Sequence, residues 1–201
     1  MNVIYEDADI IVCVKPYGVL SQHSSDKNNM FDILSDQYGQ IFPVHRLDRT
    51  TAGIMVFARN RQAAANLSAQ IVNKNFEKVY VARVEGKIDP PNAQMDDILY
   101  FDRKSNKSYV VKNERKGVKK AKLFYETINN DNDKTLVKIL LYTGRTHQIR
   151  VQFASRGYPV VGDRRYGSKS ATKNINLWSF SLKFLHPKTN MPCYFECNEE
   201  F

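Results

Sequence analysis

The sequence predicts an α+β fold in which a mixed, mostly antiparallel central sheet is flanked by helices and loops. Short apolar runs with the two-residue alternation of strands recur from the start of the chain to its end. Three segments carry helical patterns, and they do not alternate with the strands in the regular order of βαβ units. A chain of 201 residues is long enough for one well-cored domain, or for two small lobes that share a core. In either case the core is shared, and we expect a single domain over residues 1–201.

Strands and helices intermix in the first half of the chain. VIYEDADIIVCVKP predicts two strands around a turn, and the breakers of KPYG end the second strand. A loop over residues 21–29 precedes a short helix that begins at Met30 and ends at Gly39. Asn60 is a candidate N-cap, and its helix is expected to run to about Lys74.

The pattern of residues 41–59 predicts a strand that is interrupted in its middle. IMVFA is apolar on both faces, which is typical of a strand in the middle of a covered sheet. The polar stretch HRLDRTTAG (45–53) splits this otherwise buried element. Local folding rules are broken most often where function requires it, so this stretch is a candidate functional segment.

The second half of the chain is dominated by strands. KVYVARVEGKI alternates strongly and places Tyr80 and Ala82 on the same face. Strands joined by basic loops are expected over residues 98–128, and TLVKILLYTGR predicts another strand. THQIRVQFASRG suits a helix of about three turns that ends at Gly157, and a hairpin around HPKTN closes the chain.

The chain is strongly basic, with a formal net charge of +9. Between Arg103 and Lys122 there are nine lysines and arginines and one acidic residue, Glu114. A second basic concentration runs from Arg145 to Lys169. Such a surface gains affinity for nucleic acid by counterion release, but a lysine run can equally be a solvated surface, and charge alone leaves both open.

Composition argues against several functional classes. No apolar run approaches the roughly 18 residues of a membrane span, and the N-terminus lacks a signal-peptide pattern, so we expect a cytoplasmic protein without membrane contact. The cysteines are odd in number, which argues against a disulfide framework. The histidines are scattered and no second Cys/His pair accompanies Cys193 and Cys197, so we expect no metal.

The first candidate for chemistry is Asp48, within HRLDRTTAG. In an extended segment Arg46 and Asp48 lie on one face, and His45 and Leu47 lie on the other. Neighbouring positive charge favours the ionised carboxylate, which is then either a structural ion pair or an anchored nucleophile. Spacing alone favours the structural pair, because ion-pair networks are common.

The second candidate is the polar cluster TGRTHQIR at residues 143–150. Its long polar side chains are Arg145, His147, Gln148 and Arg150. The arginines can bind phosphates, one of them can pair with a buried acid, or the segment is a solvated helix start, and the pattern leaves all three open. Tyr80, in a predicted strand, is by pattern alone a packing residue.

Four motifs together resemble those of the RluA-type pseudouridine synthases: KPYG (15–18), HRLDRTTAG (45–53), KVYVARVEG (78–86) and TGRTHQIRVQFASRGYPVVGDRRYG (143–167). The resemblance covers essentially the whole chain. Two departures are Ala52, where the family usually has Ser, and Gln152, where many members have His. The motifs begin almost at Met1, so we expect the RNA-binding appendage that precedes the core in many relatives to be missing.

The resemblance implies the pseudouridine synthase catalytic fold and an isomerase that converts specific uridines of ribosomal or transfer RNA to pseudouridine. It implies no cofactor, and RNA as the partner. Nothing in the sequence demands an oligomer, and we expect a monomer. The alternative is an RNA-binding or assembly module of the same fold with little or no catalysis. An aspartate-based hydrolase is a weaker alternative, because it would want a second carboxylate or a histidine beside Asp48.

The resemblance also implies roles for individual residues. Asp48 matches the nucleophilic aspartate, Tyr80 the tyrosine that packs against the target base, and Arg150 the arginine that pairs with the aspartate. Further residues are expected to contact the substrate. They are Arg46, which matches an arginine that fills the space left by the flipped nucleotide, Leu177, which matches an apolar residue of the base pocket, and Arg145 and His147.

Overall fold

A computed structural model describes residues 2–131 and 133–199 and shows two compact units. Unit 1 comprises residues 2–78 and 178–199, and unit 2 comprises residues 79–131 and 133–177. The strands in chain order are β1 (Asn2–Glu6), β2 (Ile10–Lys15), β3 (Phe42–Pro43), β4 (Ala52–Ala58), β5 (Glu77–Glu85), β6 (Asn92–Asp102), β7 (Lys107–Val111), β8 (Val118–Asp131), β9 (Lys134–Leu141), β10 (Leu177–Leu185) and β11 (Pro192–Glu196). The helices are α1 (Met30–Tyr38), α2 (Arg61–Val72) and α3 (Gln148–Ala154).

The predicted α+β class is confirmed, with mixed and mostly antiparallel pairing. In unit 1 the strands follow the order β1-β2-β4-β10, with β3 beside β4 and β11 beside β10. Their pairs are antiparallel except for β4 with β10, which run parallel. In unit 2 the order is β5-β9-β8-β6-β7, and all these pairs are antiparallel. A single domain over residues 1–201 stays a proposal.

Local signals place the helices of unit 1. The Asn29 side chain accepts a hydrogen bond from the Asp32 N–H at 2.8 Å, and Gly39, with φ of 73°, ends α1. The Asn60 side chain accepts a hydrogen bond from the Ala63 N–H at 2.8 Å and so caps α2. Both predicted helices are therefore confirmed, although α2 ends at Val72, slightly before the expected position.

Strand β4 is buried along its whole length, as its apolar sequence predicts. It forms a core with β2, α2 and β10 whose members include Ile10, Val12, Ile54, Val56, Leu67 and Phe184. Gly53 pairs with Ser179 of β10, and a Cβ at this position would collide with the Ser179 backbone. The parallel pair β4–β10 therefore requires glycine directly after the polar segment that contains Asp48.

Helix α3 differs from the sequence prediction. It begins at Gln148 and has seven residues, about two turns instead of about three. The preceding residue, His147, has φ of 54°, in the left-handed region that cannot continue a helix. The Gln148 Oε1 atom accepts hydrogen bonds from the Thr143 hydroxyl at 2.8 Å and from the Arg145 N–H at 3.0 Å. These bonds fold residues 143–147 into a loop, so this segment lies outside the helix.

Most of the remaining strands agree with their sequence patterns, but β6 begins at Asn92, six residues before the expected start at residue 98. The interrupted strand of residues 41–59 is β3 and β4, and the predicted terminal hairpin is β10 and β11, which pair from Ser181 with Glu196 to Leu185 with Pro192. Across residues 2–131 and 133–199, no helix is both long enough and apolar enough to span a membrane.

Candidate active site

Asp48 lies in unit 1 on a segment whose backbone is held on both sides. The Leu47 N–H donates to Ser21 Oγ at 2.9 Å, and the Ser21 hydroxyl donates to the Leu47 carbonyl at 2.7 Å. After the aspartate, the Thr51 N–H donates to the Asp48 carbonyl at 3.0 Å. The half-buried Asp48 side chain therefore projects from a fixed stretch of chain between β3 and β4.

Burial follows the predicted alternation only at the two central residues of this segment, because His45 and Asp48 are both half-buried. Arg46 is exposed and Leu47 is buried. The His45 Nε2 atom accepts a hydrogen bond from the Val56 N–H at 3.1 Å, and the ring lies beside Phe76. Burial, with the nearby Lys78 charge, lowers the pKa of His45 to about 3. His45 is therefore a neutral structural residue, and it does not supply the activating histidine that an aspartate-based hydrolase would want.

Lys15 ends the buried strand β2, and its side chain is fully buried. Its ammonium donates to the carbonyls of Val19 at 2.8 Å and Pro16 at 2.9 Å, and the Arg49 carbonyl lies 3.4 Å away. Burial lowers the pKa of Lys15 to about 7, while the negative charge of Asp48 acts in the opposite direction. Lys15 was not among the predicted site residues, although a lysine at the end of an apolar strand is a usable signal.

The KPYG turn and the residue after Asp48 are tied together. The Gly18 N–H donates to the Arg49 carbonyl at 2.9 Å, and Arg49 Nε donates to the Gly18 carbonyl at 2.9 Å. Arg49 also contacts Asp26 at 3.2 Å across an exposed ion pair. Two of the four sequence motifs, KPYG and HRLDRTTAG, thus meet through their backbones.

Tyr80 lies in unit 2 on the face of the sheet that α3 covers. Tyr80 pairs with Ile139 of β9, and Ile139 pairs with Tyr125 of β8. Because paired residues share a face of the sheet, Tyr80 and Tyr125 lie on the same face. Tyr125 packs edge-on against Phe153 of α3, with ring centroids 5.3 Å apart. Tyr80 is 5% exposed.

Arg150 of α3 is buried and forms a two-point ion pair. Its Nε lies 2.6 Å from Asp163 Oδ2 and its Nη2 lies 2.9 Å from Asp163 Oδ1. The guanidinium carbon also lies 5.0 Å from the centre of the Tyr166 ring. Of the interpretations left open for TGRTHQIR, pairing of an arginine with a buried acid is confirmed, with Asp163 as the acid. The predicted pairing of Arg150 with Asp48 stays a prediction.

The other predicted substrate residues differ in exposure. Arg46 and Arg145 are exposed, and Arg145 Nε donates to the Lys120 carbonyl at 2.9 Å. His147 is buried, with Nδ1 3.0 Å from the Tyr166 hydroxyl, and Leu177 is buried at the start of β10. Their roles in substrate binding stay predictions.

Three potential metal ligands meet in unit 1, and hydrogen bonds already engage them. Ligand atoms of Asp7, Asp9 and His186 lie within 4.8 Å of one another. His186 Nδ1 accepts backbone N–H groups at 3.2 and 3.3 Å, so its Nε2 carries the proton and donates to Asp7 at 2.8 Å. Asp9 accepts from the Asn60 side chain at 2.8 Å. The cluster is thus explained as a hydrogen-bond network.

Comparison with known proteins decides the family. A family model described as RNA pseudouridylate synthase matches residues 9–155. The chain therefore belongs to the RNA pseudouridylate synthase family. The resemblance seen in the sequence motifs is confirmed, and this pseudouridine synthase is an isomerase that acts on RNA.

Named relatives match this synthase over nearly its whole length. The dual-specificity RNA pseudouridine synthase RluA of Vibrio vulnificus (strain CMCP6) is 34% identical over 96% of this chain and 84% of the relative. The protein of the same name from Yersinia pestis is 32% identical over 100% of both chains. Among solved structures, human RNA Pseudouridylate Synthase Domain Containing 1 has a TM-score of 0.82 at 21% identity, covering 98% of this chain and 83% of its own. That structure supports the fold.

Proposed function

We propose that this enzyme isomerises specific uridines of ribosomal or transfer RNA with Asp48 as the nucleophile. The observation that carries the proposal is the half-buried carboxylate of Asp48 on a backbone fixed by Ser21 before it and by the KPYG turn after it. A nucleophile held in one geometry avoids the entropic cost of orientation during the reaction. The buried Lys15 amine adds a positive charge near this carboxylate when it is protonated.

The reaction fits the groups that this site offers. The bond between ribose and uracil N1 breaks, the base turns, and a new bond forms between the ribose and ring carbon 5. Carbon 5 loses a proton and N1 gains one, so atoms and charge balance without a redox change. A carboxylate can stabilise the separated state by bonding covalently to the ribose or to the ring, and the proposal covers both.

Tyr80 and Arg150 complete the proposed catalytic set. Tyr80 is assigned to stack on the target uracil and to accept the proton that leaves carbon 5. Arg150 is assigned to pair with Asp48, as the matching motif implies. Its two hydrogen bonds to Asp163 fix the guanidinium plane.

The substrate-binding assignments follow the same motifs. The target base must leave its stack, which requires a few kcal/mol. Arg46, exposed on the Asp48 segment, is assigned to the space that the flipped nucleotide leaves. Leu177 is assigned to line the base pocket, and Arg145 and His147, on the 143–147 loop, are assigned to contact the substrate. The term dual-specificity in the names of the Vibrio and Yersinia relatives supports more than one target RNA.

Tritium release tests the proposal. RNA labelled at uracil carbon 5 is incubated with the purified protein, and release accompanies isomerisation. We expect release with the wild type and none with Asp48→Asn. Asp36→Asn is the matched control, because Asp36 is an exposed acid on α1. Release by Asp48→Asn at the wild-type rate would show that the nucleophile is assigned wrongly. Absence of release with every protein on total cellular RNA would favour the RNA-binding module instead.

We also propose that the protein is a cytoplasmic monomer that acts as a single catalytic domain. Its cysteines, Cys13, Cys193 and Cys197, are free thiols, which suits a reducing compartment. The most exposed large apolar side chains within the described residues, Val72 and Met191, lie far apart in sequence on α2 and on the β10–β11 turn. Light scattering would test the monomer, and a dimer mass would contradict it.

A further inference from the structure

Strands β6, β7 and β8 of unit 2 have one face packed under α3 and one face open. Leu99, Ala121, Val151 and Tyr166 form the packed side. Residues two apart along these strands alternate between the faces. The opposite face therefore carries a second set, all half-buried or exposed: Ile98, Tyr100, Tyr109, Val111 and Val118. We refer to this second set as the outer face.

Two tyrosines are cross-strand partners on the outer face. Tyr100 of β6 is directly opposite Tyr109 of β7, and such pairs have Cβ atoms about 5 Å apart. Tyr109 is 42% exposed. Adjacent aromatic rings on open strands of a sheet are the surface on which RNA-binding domains stack unpaired bases.

A solvent-open pocket of about 460 Å³ lies on the outer face at Val118, which is directly opposite Tyr100. Ile98 and Val118 supply apolar lining, and the remaining lining residues are Glu114, Arg115 and Lys120. The guanidinium of Arg115 lies 4.9 Å from the centre of the Tyr100 ring, and Lys120 Nζ lies 3.4 Å from Glu114. The pocket thus combines two apolar side chains, two cations suited to phosphate and a carboxylate that can accept from a base N–H.

Charge favours RNA over an apolar protein partner for this surface. The strands and turns from Arg103 to Lys122 contain nine basic residues and one acidic residue. Lys107 lies at the edge strand β7, with Nζ 5.7 Å from the centre of Tyr109 and 5.3 Å from the centre of Tyr166. Because Tyr166 lies under Arg150 on the α3 side, Lys107 joins the two faces within unit 2. Lys107 therefore places a cation at the edge of the sheet beside the outer face.

We propose that the outer face is a second RNA-binding site, which holds unpaired nucleotides flanking the target uridine. One base stacks on Tyr109, a neighbouring base enters the pocket beside Tyr100, and Lys107, Arg115 and Lys120 bind the phosphates. This inference rests on the proposed function, since it concerns the RNA that the same enzyme modifies. The site contributes to substrate affinity and leaves the chemical step to other residues.

Binding of two probes by the full chain tests the proposal. The probes are a single-stranded oligouridylate and a blunt RNA duplex of equal length. Tyr109→Ala weakens binding of the single strand about tenfold, a typical effect of one stacked base, and leaves duplex binding unchanged. Tyr109→Phe keeps the ring and retains wild-type affinity. Tyr194→Ala, which removes an exposed tyrosine of β11 in unit 1, also retains it.

Salt dependence separates the stacking residue from the cations. Lys120→Gln and Arg115→Gln each reduce the slope of log affinity against log salt by about one, while Tyr109→Ala leaves this slope unchanged. Wild-type binding by Tyr109→Ala, loss of affinity in Tyr109→Phe, or equal loss for single strand and duplex would each overturn the proposal. In turnover, Tyr109→Ala raises KM and keeps kcat. Failure of the wild type to release tritium would refute the catalytic proposal alone, because the binding titration requires no turnover.

Discussion

Arg150 and Asp163 form a two-point ion pair in the interior of unit 2, with both side chains at most 5% exposed. The two parallel hydrogen bonds fix the plane of the guanidinium. The Tyr166 ring lies 5.0 Å from it, and Tyr166 in turn receives the Ser108 N–H at 2.8 Å and contacts His147 at 3.0 Å. The orientation of Arg150 is thus set by Asp163 and by a ring that is itself held in place.

The first prediction concerns this pair. Asp163→Asn removes the negative charge from the buried two-point pair with Arg150, and breaking a buried pair in this way lowers the free energy of unfolding by about 3–5 kcal/mol. Glu126→Gln is the control, because it removes an exposed pair with Lys138 at 3.7 Å and is expected to cost less than about 1 kcal/mol. Denaturant unfolding measures both. Equal effects of the two substitutions would show that the Asp163 pair is not a stabilising element of unit 2.

The second prediction concerns the hydroxyl that holds the Asp48 segment. Ser21→Ala removes both hydrogen bonds to Leu47 and lets the neighbouring Asp48 move. We expect kcat to fall about tenfold or more, since small displacements of a reacting group are costly, while KM changes little. Ser21→Thr keeps a hydroxyl and should restore kcat. Ser35→Ala is the matched control, because the buried Ser35 hydroxyl has no hydrogen-bond partner within the described part of the chain.

Steady-state tritium release separates this positioning role from general loss of structure. If Ser21→Ala only destabilised the fold, the loss of activity would disappear at a temperature where the variant is fully folded. An unchanged kcat in the folded variant would show that Ser21 does not position Asp48.

Much of the fold follows from local sequence signals, and the features that the sequence did not predict depend on distant contacts. Asn60 caps α2 by accepting from a backbone N–H three residues away, and the apolar composition of β4 by itself indicates a buried strand. The start of α2 and the burial of β4 were therefore predictable. The late start of α3 depends on Gln148, whose side chain folds the preceding loop. The site partners are more distant still, because Asp163 is thirteen residues from Arg150 and Lys15 is thirty-four from Arg49. The pattern of TGRTHQIR indicated that one of its arginines could pair with a buried acid, but it identified neither the arginine nor the acid.

The third prediction concerns the glycine that follows the Asp48 segment. Gly53 has φ of 114°, and an added Cβ would meet the backbone of Ser179, which cannot move without breaking the β4–β10 pair. Gly53→Ala is therefore expected to destabilise unit 1 by roughly 3 kcal/mol or more. Gly157→Ala provides the comparison, because Gly157 has φ of 87° and nothing within 4 Å of the new methyl. In Gly157→Ala the only cost is that of an alanine in the left-handed region, which lowers the free energy of unfolding by about 1–2 kcal/mol. Thermal or denaturant unfolding of the two variants measures the difference, and equal losses would contradict the steric argument.

The fourth prediction concerns pH and Lys15. Burial lowers its folded-state pKa from 10.5 to about 7. Well below pH 7 Lys15 carries its proton in both the folded and the unfolded chain, and the cost of burying the charge is fully present. Between pH 7 and 10.5 the unfolded chain binds more protons than the folded one, so the free energy of unfolding rises with pH. Removing the titrating amine should remove this rise.

Lys15→Met tests the linkage against Lys138→Met, which removes an exposed lysine of β9. The free energy of unfolding is measured from pH 7 to pH 10 for the wild type and both variants. One proton accounts for at most ~1.4 kcal/mol per pH unit, so the slope for Lys15→Met should lie below that of the wild type by up to this amount. The slope for Lys138→Met should match the wild type, because groups common to both proteins cancel in the difference. A wild-type slope in Lys15→Met would mean that the buried ammonium keeps an ordinary pKa. Its three carbonyl contacts would then balance the cost of burial completely.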